Sequence, residues 1–180
     1  MRELFLLIDE GLVHGDPVRR AATCIDEPPE GVPADYRPFW ALAWAIQGRR
    51  ADAERSVNQL LAQDASELVL DSMRRSLLST MAEVCALHDD REQAARIYPL
   101  LVPWAGLHSI LQAGVCVGPV NYYLGRLACT LSQLEAAEAH FEQALLDCSG
   151  SLPMLTRTQY AFGRMLADAA NSRGSEHHQQ

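Results

Sequence analysis

The sequence predicts an all-α chain of about three helical hairpins in series, closed by a C-terminal capping helix. Two observations carry this. Apolar residues recur at steps of three and four, most clearly at Val120, Tyr123, Leu124, Leu127, Ala128 and Leu131, which is one face of a helix. Three alanines, Ala53, Ala94 and Ala137, follow one another at spacings of 41 and 43 residues, and each lies twelve residues after another small residue, Ala41, Ala82 or Gly125. A helix–turn–helix unit repeated at a near-constant period is the signature of stacked hairpins.

The elements follow in order. Residues 1–35 form an N-terminal unit: a short helix over 3–13, then the loop IDEPPEGVPAD, with three prolines and four acids, a composition that breaks regular structure. The repeat domain spans 36–171. Its first hairpin pairs FWALAWAIQG with RRADAERSVNQLL. In the second, ASELVLDSMRR merges into a helix running through Leu87, and HDDREQAARIYPLL follows. The segment WAGLHSILQAGVCV, residues 104–117, reads as an irregular connection or a short helix. Gly118-Pro119 starts the third hairpin, because proline fits a first helical turn. Ser132-Gln133 turns the chain, and Leu134, Ala137, Phe141, Ala144 and Leu145 line the returning helix. Gly125 and Ala137 let these two helices approach closely, and Phe141 fills the gap one turn on, against Leu124 and Ala128. A last helix over 153–171 caps the stack, and residues 172–180 read as a disordered polar tail.

Bulk composition narrows the function. The 180 residues are 48% apolar and 21% charged, with a net charge of −8. All 15 basic residues are arginine. The acidic balance argues against binding a phosphate backbone. Without lysine, neither Schiff-base chemistry nor a phosphate loop of the usual kind is available. No apolar run reaches membrane-spanning length. The start, MRELFLLIDEG, lacks the basic and small-residue flanks of a signal peptide. The five cysteines are odd in number and never spaced C-x-x-C, which predicts buried free thiols in a reducing cytoplasm.

The third hairpin, with Leu124, Gly125, Ala137, Phe141 and Ala144, resembles a tetratricopeptide (TPR) repeat. It carries Asn121 where that repeat has tryptophan and Ser149 where it closes on proline. The period also exceeds the usual length of about 34 residues. Read in series, AARIYPLLVPWAG, GVCVGPVNYYLGRLACTLSQLEAAEAHFEQAL and PMLTRTQYAFGRMLA resemble the C-terminal repeat region of bacterial LuxR-type and adenylate-cyclase-linked STAND regulators. That resemblance covers most of residues 36–170. It implies a TPR-like helical-hairpin solenoid acting as a non-catalytic sensor or interaction arm. Other domains carry the ATPase, cyclase and DNA-binding work in such proteins, and this sequence has no motif for any of them.

Each residue that could carry chemistry also has a plain structural role. His108-Ser109 are adjacent, which does not make a nucleophile–base pair. Glu176, His177 and His178 lie in the tail, and His88-Asp89-Asp90 at a helix end, so no metal site is expected. Glu135, Glu138 and Glu142 read as one solvated helix face, and Trp40 and Trp44 as packing of the first repeat. The remaining candidate is the groove lined by the first helix of each hairpin. Its partner-binding residues would be Leu42, Ser79, Glu83, Tyr122 and Arg126. Tyr122 and Arg126, four apart, could jointly receive a carboxylate or a peptide backbone. The expected partner is a protein, a peptide or a small effector, with no cofactor. The alternative is a scaffold that pairs with its own copy through exposed apolar ends.

Overall fold

The computed structural model describes residues 37–62, 71–110, 116–148 and 150–176. Seven helices and one small two-stranded sheet make up the described residues. The helices are α1 (Arg37–Ile46), α2 (Arg50–Ala62), α3 (Asp71–His88), α4 (Arg91–Leu101), α5 (Val120–Thr130), α6 (Leu134–Asp147) and α7 (Leu152–Glu176). The strands β1 (His108–Ile110) and β2 (Cys116–Pro119) lie between α4 and α5. The expected elements at 1–35 and 65–70 fall outside the described residues.

Three hairpins, α1–α2, α3–α4 and α5–α6, turn in the same way. The turn residues Gly48, Asp89 and Ser132 all have positive φ, at 78°, 53° and 61°. Each lies five residues before Ala53, Ala94 or Ala137. The next backbone N–H reaches back five residues in every copy: Arg49 to Trp44 at 2.8 Å, Asp90 to Cys85 at 2.9 Å, Gln133 to Ala128 at 2.9 Å. This is the helix-ending motif in which a left-handed residue lets the chain cover the last open carbonyls. The second helix then begins on the same register, with Ala53, Ala94 and Ala137 donating to Arg49, Asp90 and Gln133. The repeat is therefore one of backbone geometry as well as of side-chain size.

The hairpins pack in chain order. Their first helices lie side by side, α1 against α3, α3 against α5, and α5 touching α7, while each second helix backs its own partner. Ala41, Ala53, Ala82, Ala94, Ala137 and Phe141 are all fully buried. The close contact of the third hairpin differs in one detail from the expectation. The group seated on Gly125 is the Phe141 ring itself: a Cβ there would come within 2.9 Å of it. The ring has no room to retreat, because it stacks on Phe162 with centroids 5.6 Å apart.

Two segments depart from the sequence reading. Among the described residues of 104–117 there is no α-helix. A 3₁₀ turn, Val102–Trp104, leads into β1, which pairs antiparallel with β2 in the register His108↔Pro119, Ser109↔Gly118 and Ile110↔Cys116. The pairing is held by tertiary bonds, since Ser76 Oγ of α3 donates to the Ile110 carbonyl at 2.6 Å and Tyr123 Oη of α5 donates to that of Val117 at 2.5 Å. The final helix also runs on to Glu176, so residues 172–176 belong to it rather than to a tail. Gly174 weakens a helix interior by about 1 kcal/mol without removing a backbone donor.

Replacing Gly125 with alanine tests the third hairpin. In an exposed helix the change would gain up to about 1 kcal/mol. Here overpacking against Phe141 is expected to cost about 1–3 kcal/mol in urea denaturation, and adding Phe141→Leu should recover part of it. A stabilised single variant would contradict the packing.

Candidate functional site

Helix α3 presents a stripe of small and polar residues, Ser76, Ser79, Thr80 and Glu83, all buried. Steps of three and four put them on one face. The stripe meets two different neighbours. At its first turn lies β1, where the Ser79 and Ser109 hydroxyls share a hydrogen bond. One turn further on, Glu83 faces α5 and α7 with no exposure at all.

A buried carboxylate has to be given counterions, because desolvation costs several kcal/mol. Glu83 has two. Arg126 Nη1 of α5 donates to its Oε1 at 2.8 Å, and Arg157 Nη2 of α7 lies 3.3 Å from its Oε2. The same Arg126 nitrogen donates to Tyr122 Oη at 3.0 Å. The Arg157 guanidinium lies 4.4 Å from the Tyr122 ring centroid and 5.6 Å from that of Tyr123, within cation–π range. Its Nη1 also reaches the Val117 carbonyl at 3.5 Å. Burial would pull the Arg126 pKa down, but Glu83 and Tyr122 outweigh it and hold the guanidinium charged. Burial pushes the Tyr123 phenol above its ordinary range.

A second polar network joins α4, α5 and α6. Asn121 Nδ2 donates to the Ala105 carbonyl at 2.6 Å and to Asp147 Oδ2 at 3.0 Å. Its Oδ1 must then accept, so His140 Nδ1, 3.0 Å away, carries the proton. His140 Nε2 is left to accept from the Tyr98 hydroxyl at 2.8 Å. The network holds a neutral imidazole, and burial pushes the His140 pKa below its ordinary value.

The structure brings three of the expected site residues together, Glu83, Tyr122 and Arg126. Ser79 lies one turn away beneath Ser109. Leu42 belongs to the apolar core under α1. Of the five, only Arg126 keeps an appreciable exposed edge, with its side chain 20% accessible. Arg157 was not singled out by sequence. Its signal was present: 157, 161, 165 and 169 step by four, and a charge inside that apolar stripe demands a partner. His108 and Ser109 diverge, as neighbours on a strand do: His108 Nε2 donates to the Asp147 carbonyl at 3.2 Å, while Ser109 meets Ser79. Glu135, Glu138 and Glu142 are exposed, and Trp44 is buried. Burial raises the Cys85 thiol to about 12 and the Cys129 thiol to about 11, so neither is an activated nucleophile.

Among the described residues, no group of three His, Cys, Asp or Glu is placed to hold a metal ion. No described helix is long and apolar enough to cross a membrane. No family model matches the chain, nor does any curated protein or solved structure.

The histidines set a pH dependence. His140 and His88 both have pKa values below the ordinary 6.5, first because of burial. On acidification the unfolded chain therefore takes up these protons first, and stability is lost as pH falls below 6.5. Asp52, held below its ordinary 3.8 by the hydrogen bond from Arg49, affects stability only in stronger acid. Urea midpoints should be flat from pH 8 to about 7 and then fall toward pH 5. Replacing both histidines by glutamine should flatten that slope; an unchanged slope would refute its assignment to them.

Proposed function

We propose that this chain is a TPR-like interaction arm that binds an extended segment of a partner, or a small effector, on the face formed by the first helices of its hairpins. The observation that supports this most is what that face already holds. The chain lays its own extended backbone there, in β1 and β2. Two carbonyls of that backbone are held by side chains of two first helices and the final helix: Ser76 on α3 donates to that of Ile110, and Tyr123 on α5 and Arg157 on α7 donate to that of Val117. Helices that receive one extended strand through side-chain donors have the chemistry to receive another. The three equivalent turns support the repeat reading, since stacked hairpins of this kind build continuous binding faces. The resemblance to bacterial LuxR-type and STAND regulators adds a setting, in which such an arm senses a partner and relays its presence to other domains. The mechanism is complementarity of shape and hydrogen bonding, without bond chemistry.

A specific observation favours a second reading, self-association. Leu146 on α6 and Leu152, Tyr160 and Leu166 on α7 are exposed at 70%, 75%, 57% and 45%, an apolar concentration on the last two helices of the series.

Panning short random peptides against the full chain separates the two. Peptides that bind should perturb amide resonances on α1, α3, α5 and α7. An absence of enriched peptides, or perturbation confined to α2, α4 and α6, would contradict the first reading. Light scattering behind a sizing column addresses the second: a dimer that Leu152→Glu with Tyr160→Glu converts to monomer would support it, and a strict monomer at high concentration would refute it.

A further inference from the structure

The described cysteines, Cys85, Cys116, Cys129 and Cys148, are all free, and Cys116 is the exposed one among them. Its place on the hairpin is set by an irregularity. His108 and Ile110 share one face of β1, as alternate residues of a strand do, while Ser109 turns the other way onto Ser79. The register slips between Ser109 and Ile110, so that Cys116 rather than Val117 stands opposite Ile110. Opposed residues of an antiparallel pair point to the same side, which puts Cys116 on the face of His108. That face meets the end of α6: His108 Nε2 donates to the Asp147 carbonyl at 3.2 Å, and Cys148 is the next residue.

The path from β2 to Cys148 also runs along α7. The Met154 sulfur lies 3.2 Å from where a Cβ on Gly118 would stand, the Met154 carbonyl accepts from Thr158 Oγ1 at 2.9 Å, and Thr158 Oγ1 lies 3.6 Å from Cys148 Sγ. With its own hydrogen spent on Met154, the Thr158 oxygen takes the one on the Cys148 thiol. Cys148 is 2% exposed. Burial first, with smaller contributions from the charges of Asp147 and Cys116, raises its pKa above the ordinary value. One thiol is thus open to small oxidants and a second is shielded beside it, the arrangement of an attacked and a resolving cysteine. We propose that Cys116 and Cys148 form a reversible disulfide when the chain meets a peroxide, tying β2 to the junction of α6 and α7.

Two thiols and one hydrogen peroxide balance the reaction. The Cys116 sulfur attacks the peroxide, the O–O bond breaks, and a sulfenic acid and one water result. The Cys148 sulfur then attacks the sulfenic sulfur. An S–S bond forms, the S–O bond breaks, and the hydroxide leaves as a second water with the proton of Cys148. The thiols give up two electrons and the peroxide oxygens take them. Exchange with a dithiol reductant returns both thiols. The two positions are 32 residues apart in the chain, and a covalent tie over such a loop restrains the unfolded state. The linked protein should therefore resist urea better than the reduced one.

The test treats the full reduced chain with an equimolar amount of hydrogen peroxide at neutral pH. Peptide mapping without reductant should recover Cys116 joined to Cys148 within one chain as the main product. The mass should fall by two hydrogens, and dithiothreitol should restore it. The same treatment in concentrated urea should give a mixture of pairings, because the native arrangement no longer selects one. The linked chain should also unfold at a higher urea midpoint than the reduced chain. Cys148→Ser should leave a sulfenic acid on Cys116 that dimedone captures; where that variant fails to fold, the map of the unaltered chain decides alone. A folded chain that yields another pairing, a link between two chains or the mixture seen in urea overturns the proposal. So does a Cys116 that stays reduced or passes to the sulfinic acid without a disulfide, or a linked chain whose midpoint is no higher than that of the reduced one.

Discussion

A carboxylate sealed from water must be neutralised by the fold around it, and Glu83 imposes that requirement on three helices at once. It sits on α3, draws Arg126 from α5 and Arg157 from α7, and has no exposure of its own. The ion pairs are not an inexpensive source of stability, because desolvating three charged groups offsets most of the Coulomb gain. Their effect is specificity. Any arrangement of α3, α5 and α7 that leaves Glu83 unpaired is penalised by several kcal/mol, so the register between these helices is narrowly set. Arg157 extends the same constraint to β2 through the Val117 carbonyl, and Tyr122 lends a ring face to Arg157 and a hydroxyl oxygen to Arg126.

Around that cluster the packing is repetitive and apolar. Each hairpin closes over a small residue, and each turn places one residue in the left-handed region. The third hairpin is the most tightly fitted, with an aromatic ring against a glycine. Asn121 is a polar side chain buried within this packing. Its amide is the hub that links Ala105, Asp147 and His140. Apolar stacking thus gives the hairpins their cohesion, and two polar networks determine how the later ones sit on one another.

Much of the helical framework could be read from spacing. Ala53, Ala94 and Ala137 mark the second helices because only small side chains fit where the two helices of a hairpin cross. The turns were less visible. Gly48 is an obvious left-handed residue, whereas Asp89 and Ser132 take that conformation without a glycine to announce it. The two-stranded sheet was not legible either. Its strands are three and four residues long, too short for alternation to register, and their pairing is fixed by Ser76 and Ser79, some thirty residues away in sequence. Of the site, the Tyr122–Arg126 pair followed from a spacing of four on one helix. Arg157 was signalled by its place in an apolar stripe, but its pairing with Glu83 was not, because Glu83 lies in a polar stripe on another helix and nothing in the spacing joins the two.

Glu83 is a shared counterion rather than a passive buried polar group. A double-mutant cycle between Glu83→Gln and Arg157→Met, read by chemical denaturation, measures it directly. The coupling energy should be about 2 kcal/mol or more, with the double variant less damaged than the two single effects combined. Effects that add to within about 0.5 kcal/mol would show the two residues to be energetically independent and Glu83 to be no counterion of Arg157.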